Sequence, residues 1–193
     1  MKVREDIIQL LFKAYFDARQ HKRGKQSQLS FEWQLEHNIF ELYDEMVSKT
    51  YQPGQSICFI VKQPVKREIF AANFRDRVVH HFIFNILNPL IEKELLHDVY
   101  SCRKGKGTLY GIQRAQSKVQ SCSENYSQNA YVLKLDISGY FMNMNKNLLY
   151  QKVERIIDKN ELFLPIQSSW LKQLVYQNIF HDPTTDCKFQ SFP

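Results

Sequence analysis

Tyr131-Val132-Leu133-Lys134-Leu135-Asp136-Ile137-Ser138-Gly139-Tyr140-Phe141 is the stretch on which the fold turns. Val132, Leu133 and Leu135 lead an apolar run to a single acid, Asp136, and a glycine and two aromatics follow at once. The run is short and apolar, and a tight turn bounds it, which predicts a buried strand over 131–137 with one carboxylate at its tip. A carboxylate held there, assisted by the main-chain carbonyl of Ile137, can contribute to a Mg2+ cage beside a nucleotide. A strand-end Asp is equally an ordinary turn former or helix N-cap, so the metal reading needs support from other segments.

Helical periods flank the stretch. Downstream, Leu149, Val153, Ile156 and Ile157 recur at helical spacing and predict a helix over 146–159. Pro165 is expected to start a last helix, running to about residue 180 and carrying Trp170, Leu171, Leu174 and Val175. The tail after His181 is polar and shows no clear element. Upstream, Gly105 and Gly107 mark a loop, and Thr108 is a plausible cap for a helix over 109–122.

Nearer the N-terminus, residues 3–18 form an amphipathic helical pattern, and Ser30 is read as the N-cap of a second helix that ends before Pro53-Gly54. Residues 57–61 and 67–71 are rich in β-formers and read as a hairpin interrupted at Pro64. From Phe74 a long helical pattern reaches Leu87, and Asn88-Pro89 is expected to restart it. The fold class is therefore α+β, dominated by helices, with a small antiparallel sheet. Three segments follow: 1–54 helical, 55–128 around the hairpin, and 129–193 opening on the Asp136 strand. No internal repeat is visible.

The segments upstream of Asp136 are basic. Lys62 and Arg67 sit on the two arms of the hairpin, where they can close over a triphosphate and neutralise it. Charged edge strands that discourage aggregation look the same in sequence. Arg75 and Arg77 lie at a helix start, where the macrodipole disfavours cations, so they serve either an anionic partner or carboxylates such as Asp76. Adjacent His80 and His81 point to different sides, which argues against a shared metal. The loop Arg103-Lys104-Gly105-Lys106-Gly107-Thr108 combines cations with glycines that let main-chain N–H groups approach a phosphate. It is not a P-loop, because Gly107 follows Lys106 where Ser or Thr is required.

A formal net charge of +6 suits polyanionic partners as well as a solvated surface. The four cysteines are far apart and show no zinc-ligand spacing, which predicts reduced thiols and a cytoplasmic protein. No apolar run approaches the roughly 20 residues of a membrane span, so no membrane partner is expected.

Taken in order, these blocks resemble the N-terminal half of bacterial reverse transcriptases of the retron, group II intron and diversity-generating retroelement classes. The stretch Lys66–His81 is similar to their fingers motif, Ser101–Thr108 to the Arg- and Gly-rich segment after it, and Leu135–Phe141 to the first palm motif. The resemblance implies a right-hand polymerase's fingers over 55–128 and the beginning of its palm over 129–193. It implies RNA-directed DNA synthesis, a nucleotidyl transfer assisted by two Mg2+ ions, on an RNA template with a DNA or RNA primer and deoxynucleoside triphosphates. Asp136 would be the catalytic, metal-binding aspartate, with the Ile137 carbonyl beside it. Lys62 and Arg67 would grip the triphosphate, main-chain amides at Gly139 and Tyr140 would face its phosphates, and Phe141 would exclude a 2′-hydroxyl. Arg75, Arg77, Arg103, Lys104 and Lys106 would contact template or primer.

The sequence departs from that family in two respects that bear on activity: neither Tyr-x-Asp-Asp nor the Gly- and Gln-containing motif expected before it occurs in it. The expectation is a fragment that does not extend a primer alone and that tends to dimerise through incompletely covered palm surface. Two rivals remain, a non-catalytic RNA- or DNA-binding module and a structural, partner-binding domain.

Overall fold

The computed structural model describes residues 2–20, 24–63, 66–140 and 143–189. The chain divides into two compact units, Met1–Ile91 with Asn145–Pro193, and Glu92–Met144. Helices and a small sheet are mixed as expected, so the protein is α+β.

In the first unit, α1 (Lys2–Arg19) buries Ile7, Leu11, Ala14, Tyr15 and Ala18 along one stripe. α2 (Gln26–Trp33) and α3 (Leu35–Val47) replace the single helix read from Ser30. Ser30 lies inside α2 and caps nothing; the break falls at Gln34, whose φ −127° and ψ 48° leave helical space. The Asn38 side chain accepts the consequence, donating from Nδ2 to the freed Phe31 carbonyl at 2.8 Å.

The hairpin is present: β1 (Ser56–Val61) pairs antiparallel with β2 (Arg67–Ala71), from Ile57 opposite Ala71 to Val61 opposite Arg67. The Pro64 break lies outside the described residues. The tail contributes an unexpected strand, β3 (Cys187–Phe189), which runs parallel to β1 and gives the order β2-β1-β3. The sheet is thus mixed rather than purely antiparallel.

α4 (Phe74–Glu94) is continuous through Pro89, where a restart was expected. Ile86 and Leu87 before the proline and Leu90 after it are all buried in one core. Each such burial stabilises by about 1.5–3 kcal/mol, together more than the ~3 kcal/mol cost of an interior proline. α6 (Lys146–Lys159) spans the predicted range, capped by the Asn145 side chain, which accepts from Leu148 N at 3.0 Å. α7 (Ser168–Phe180) begins three residues after Pro165, behind a short 3-10 turn at Glu161–Phe163. Trp170, Leu171, Leu174 and Val175 close the core, and Trp170 meets the Phe82 ring at 6.2 Å.

The second unit holds the last turn of α4, a basic loop, α5 (Thr108–Cys122) and the stretch around Asp136. Gly107, rather than Thr108, takes the N-cap position of α5, and no side chain caps it. Residues 131–137 are not a buried strand. They pair with no strand among the described residues, and Tyr131, Leu133 and Leu135 are 93%, 82% and 80% exposed. The local sequence is strand-like, but a strand exists only where neighbours supply its hydrogen bonds, and the sheet of this protein lies in the other unit.

Candidate functional site

Asp136 therefore stands on an exposed segment outside any helix or strand. Its Oδ1 accepts from the Ile137 N–H at 2.9 Å, which is the local behaviour of a turn-forming aspartate. Gly139 follows with φ +59°, and the Asn143 side chain folds over it, Nδ2 donating to its carbonyl at 3.2 Å. A Cβ at Gly139 would meet only the tip of the Asn143 side chain, Nδ2 at 2.8 Å, so it is the left-handed backbone conformation that favours glycine there. Tyr140 is half-exposed, and Phe141 lies outside the described residues.

Whether these residues fit a Mg2+ pair is decided by the donor set. Asp136 and the Ile137 carbonyl supply one carboxylate and one neutral oxygen, and among the described residues no group of three or more His, Cys, Asp or Glu side chains could hold a metal ion. Two divalent ions about 3.5–4 Å apart need several bridging carboxylates. The described residues bring no second carboxylate to Asp136 for such a pair.

The hairpin residues are placed differently. The register sets Arg67 opposite Val61, so Lys62, Lys66 and Arg67 gather at the turn end of the hairpin formed by β1 and β2. All of them are exposed, and none makes an ion pair with another described residue. They lie in the first unit, as do Arg75 and Arg77, whereas Asp136 and the Arg103–Lys106 loop lie in the second.

Arg75 is engaged internally. Its guanidinium pairs with Glu45, reaches Asp76 Oδ1 at 3.3 Å and the Gln52 carbonyl at 3.4 Å, and stacks over the Tyr51 ring at 5.1 Å. Of the two uses read for Arg75 in sequence, the carboxylate one is realised. Asp76 is 2% exposed and also accepts from the Tyr51 hydroxyl at 3.0 Å and from Gly54 N at 2.9 Å. Burial and then the neighbouring Asp76 push the Tyr51 phenol well above its ordinary range. Arg77 is half-buried against the Phe74 ring, and burial lowers its pKa; no carboxylate pairs with it among the described residues.

In the basic loop, Arg103 faces inward, with its side chain 11% exposed. It donates to Glu92 Oε2 at 2.8 Å and to the Leu96 and Val99 carbonyls at 2.9 and 3.1 Å, so its donors are spent holding the loop. Gly105, at φ +74°, lets Arg103 and Lys106 bridge across the turn. Lys106 donates to the His97 carbonyl at 2.6 Å, and Lys104 extends to solvent.

Sequence reasoning missed Asp98. Its carboxylate collects Lys118, the Tyr100 hydroxyl at 2.6 Å, His97 Nδ1 at 3.3 Å and Arg114 Nε at 3.5 Å. Hydrogen bonds from Lys118, Tyr100 and His97 hold it far below the usual carboxylate range. The i, i+4 spacing of Arg114 and Lys118 was a readable signal for a shared helix face. A scan of the chain against protein-family models and a search of curated proteins return no match. No helix among the described residues is long and apolar enough to cross a membrane.

Proposed function

We propose that this chain carries the fingers and the opening of the palm of an RNA-directed DNA polymerase. The observation that carries the reading is the hairpin register, which gathers Lys62, Lys66 and Arg67 at the exposed turn end, where none of them is ion-paired among the described residues. Three cations so held suit a triphosphate. The resemblance of the Lys66–His81, Ser101–Thr108 and Leu135–Phe141 blocks to reverse transcriptases supports the same role. Mg2+ would be held in part by Asp136 and the Ile137 carbonyl.

The test is titration of a deoxynucleoside triphosphate in the presence of Mg2+. Lys62→Ala and Arg67→Ala are each expected to weaken binding about tenfold, the loss of one charge-assisted contact. Unchanged triphosphate affinity in both variants overturns the reading. The chain alone is expected to extend no primer on an RNA template with Mg2+ or Mn2+. Incorporation of deoxynucleotides by the purified chain would contradict the incomplete cage.

One observation favours the rival, a non-catalytic nucleic-acid-binding module: the Asp136 carboxylate is turned to its own backbone. RNA binding that survives while the chain shows no affinity for triphosphates would decide for it.

A further inference from the structure

We propose that the surface formed by α5 and the loop before it binds a single-stranded phosphodiester backbone, and that Asp98 is the positioning residue that aims its two helix cations. The inference rests on the nucleic-acid part of the function proposed above and adds to it Asp98, Arg114 and Lys118, which lie outside the motifs that suggested it.

Arg114 and Lys118 stand one turn apart on α5, where like charges repel. Both are drawn to one carboxylate, Asp98, which is itself partly exposed. An exposed ion pair contributes little to stability, so the cluster is poorly explained as a staple. It remains cationic: one carboxylate faces two formal positive charges, with Lys106 on the adjoining loop through the His97 carbonyl. Arg114 Nε is buried, 3.5 Å from Asp98, and makes no hydrogen bond, while the Tyr100 hydroxyl and Asp98 both lie against the same guanidinium, so the two together orient it.

Aromatic rings lie among these cations. Tyr100 and Tyr110 meet edge-on at 5.7 Å, His97 is 6.4 Å from Tyr110, and Lys106 sits 6.0 Å over the same ring. Gly111 allows this approach, since a Cβ there would stand 3.2 Å from the Tyr100 ring. Cations interleaved with aromatic faces are what sequence-tolerant single-strand binding requires, phosphates going to the former and bases to the latter. A duplex, with its bases stacked inside, offers nothing to the rings.

The experiment measures fluorescence anisotropy of labelled oligouridylate and oligothymidylate with the full chain across a salt titration. Wild type is expected to bind with a negative log–log slope, and Lys118→Ala to reduce that slope by about 1. Asp98→Asn raises the net positive charge, so a merely electrostatic surface would bind more tightly. A positioning role predicts the opposite: about tenfold weaker binding, with Asp98→Glu restoring most of it. Tyr100→Phe, which removes one hydroxyl and keeps the ring, is expected to weaken binding in the same direction and guards against misfolding of the Asp98 variant. Wild-type binding together with unchanged or tighter binding by Asp98→Asn and Tyr100→Phe overturns this inference alone. Preference for duplex over both single strands overturns the single-strand assignment. No salt-dependent binding by wild type overturns the nucleic-acid reading and this inference with it.

Discussion

Asp76 shows how one buried carboxylate can fix the approach to a hairpin. It accepts from Tyr51, Gly54 and Arg75 at once, so the chain from α3 into β1 is tied to the first turn of α4. Without the carboxylate, the buried Tyr51 hydroxyl and the Gly54 N–H lose their partner, and Arg75 keeps only Glu45 as a counter-charge. Asp76→Ala is therefore expected to destabilise the protein by about 3 kcal/mol, read from denaturant melts. Asp76→Asn keeps one acceptor and should lie between the two. A loss below about 1 kcal/mol for the alanine variant would mean that water replaces the carboxylate and that the site is less dry than its burial indicates. Of these contacts only the Arg75–Asp76 pairing is legible locally. Arg-Asp-Arg at a helix start advertises an anion-binding site, whereas Glu45, which pairs with Arg75, lies on another helix.

Between elements, the clip that joins α1 to α2 is set by Glu32. Burial pushes its pKa up, but hydrogen bonds from Gln28, Tyr15 and Arg19 outweigh that and hold it below the ordinary value. Burial, with Glu32 beside it, pushes the Tyr15 phenol up to about 12. A depressed carboxylate stabilises fully above its unfolded pKa of about 4.3 and loses that contribution as pH falls through the folded value. Wild type is thus expected to lose more stability than Glu32→Gln on acidification below that range, measured by urea melts. Equal losses would remove the clip from the account. α4 supplies a second prediction: Pro89 is exposed and lacks an N–H for the helix ladder, so Pro89→Ala should stabilise by about 1–3 kcal/mol. The helical period of 3–18, the 146–159 helix and the β-rich arms of the hairpin were readable because their signals are local. Gln34 breaks a helix and Pro89 fails to break one because tertiary packing decides both. β3 is only three residues of a polar tail and becomes a strand by pairing with β1.

Over the whole molecule, the same contrast separates 131–137 from the rest of the chain. Burial of apolar surface is the main driving force of folding, and here it is concentrated in the first unit, whose core runs through α1, α3, α4 and α7. The second unit holds its loop instead with Arg103 and Lys106 hydrogen bonds, and α5 has no buried residue. Its apolar run is left exposed and outside any helix or strand, and among the described residues no backbone N–H of 131–136 donates a hydrogen bond. Leu162 and Phe163 are equally exposed, but their turn is hydrogen-bonded, with Phe163 N donating to the Asn160 carbonyl at 2.9 Å. Proteases need extended chain rather than exposed side chains alone. The first cut by chymotrypsin is therefore expected at Tyr131, Leu133 or Leu135, and by trypsin at Lys134, read by mass spectrometry of brief digests. A first chymotryptic cut at Leu162 or Phe163 would contradict the unpaired state of 131–137. Repeating the digest across protein concentrations adds a second reading. Two-sided apolar strands are suited to the interior of a sheet, and an edge so exposed invites pairing with another chain. If a second copy covers it, the cleavage rate per molecule will fall as concentration rises, in step with a dimer in sedimentation. A rate independent of concentration leaves the segment uncovered by its own kind, and the dimerisation expected from sequence then fails.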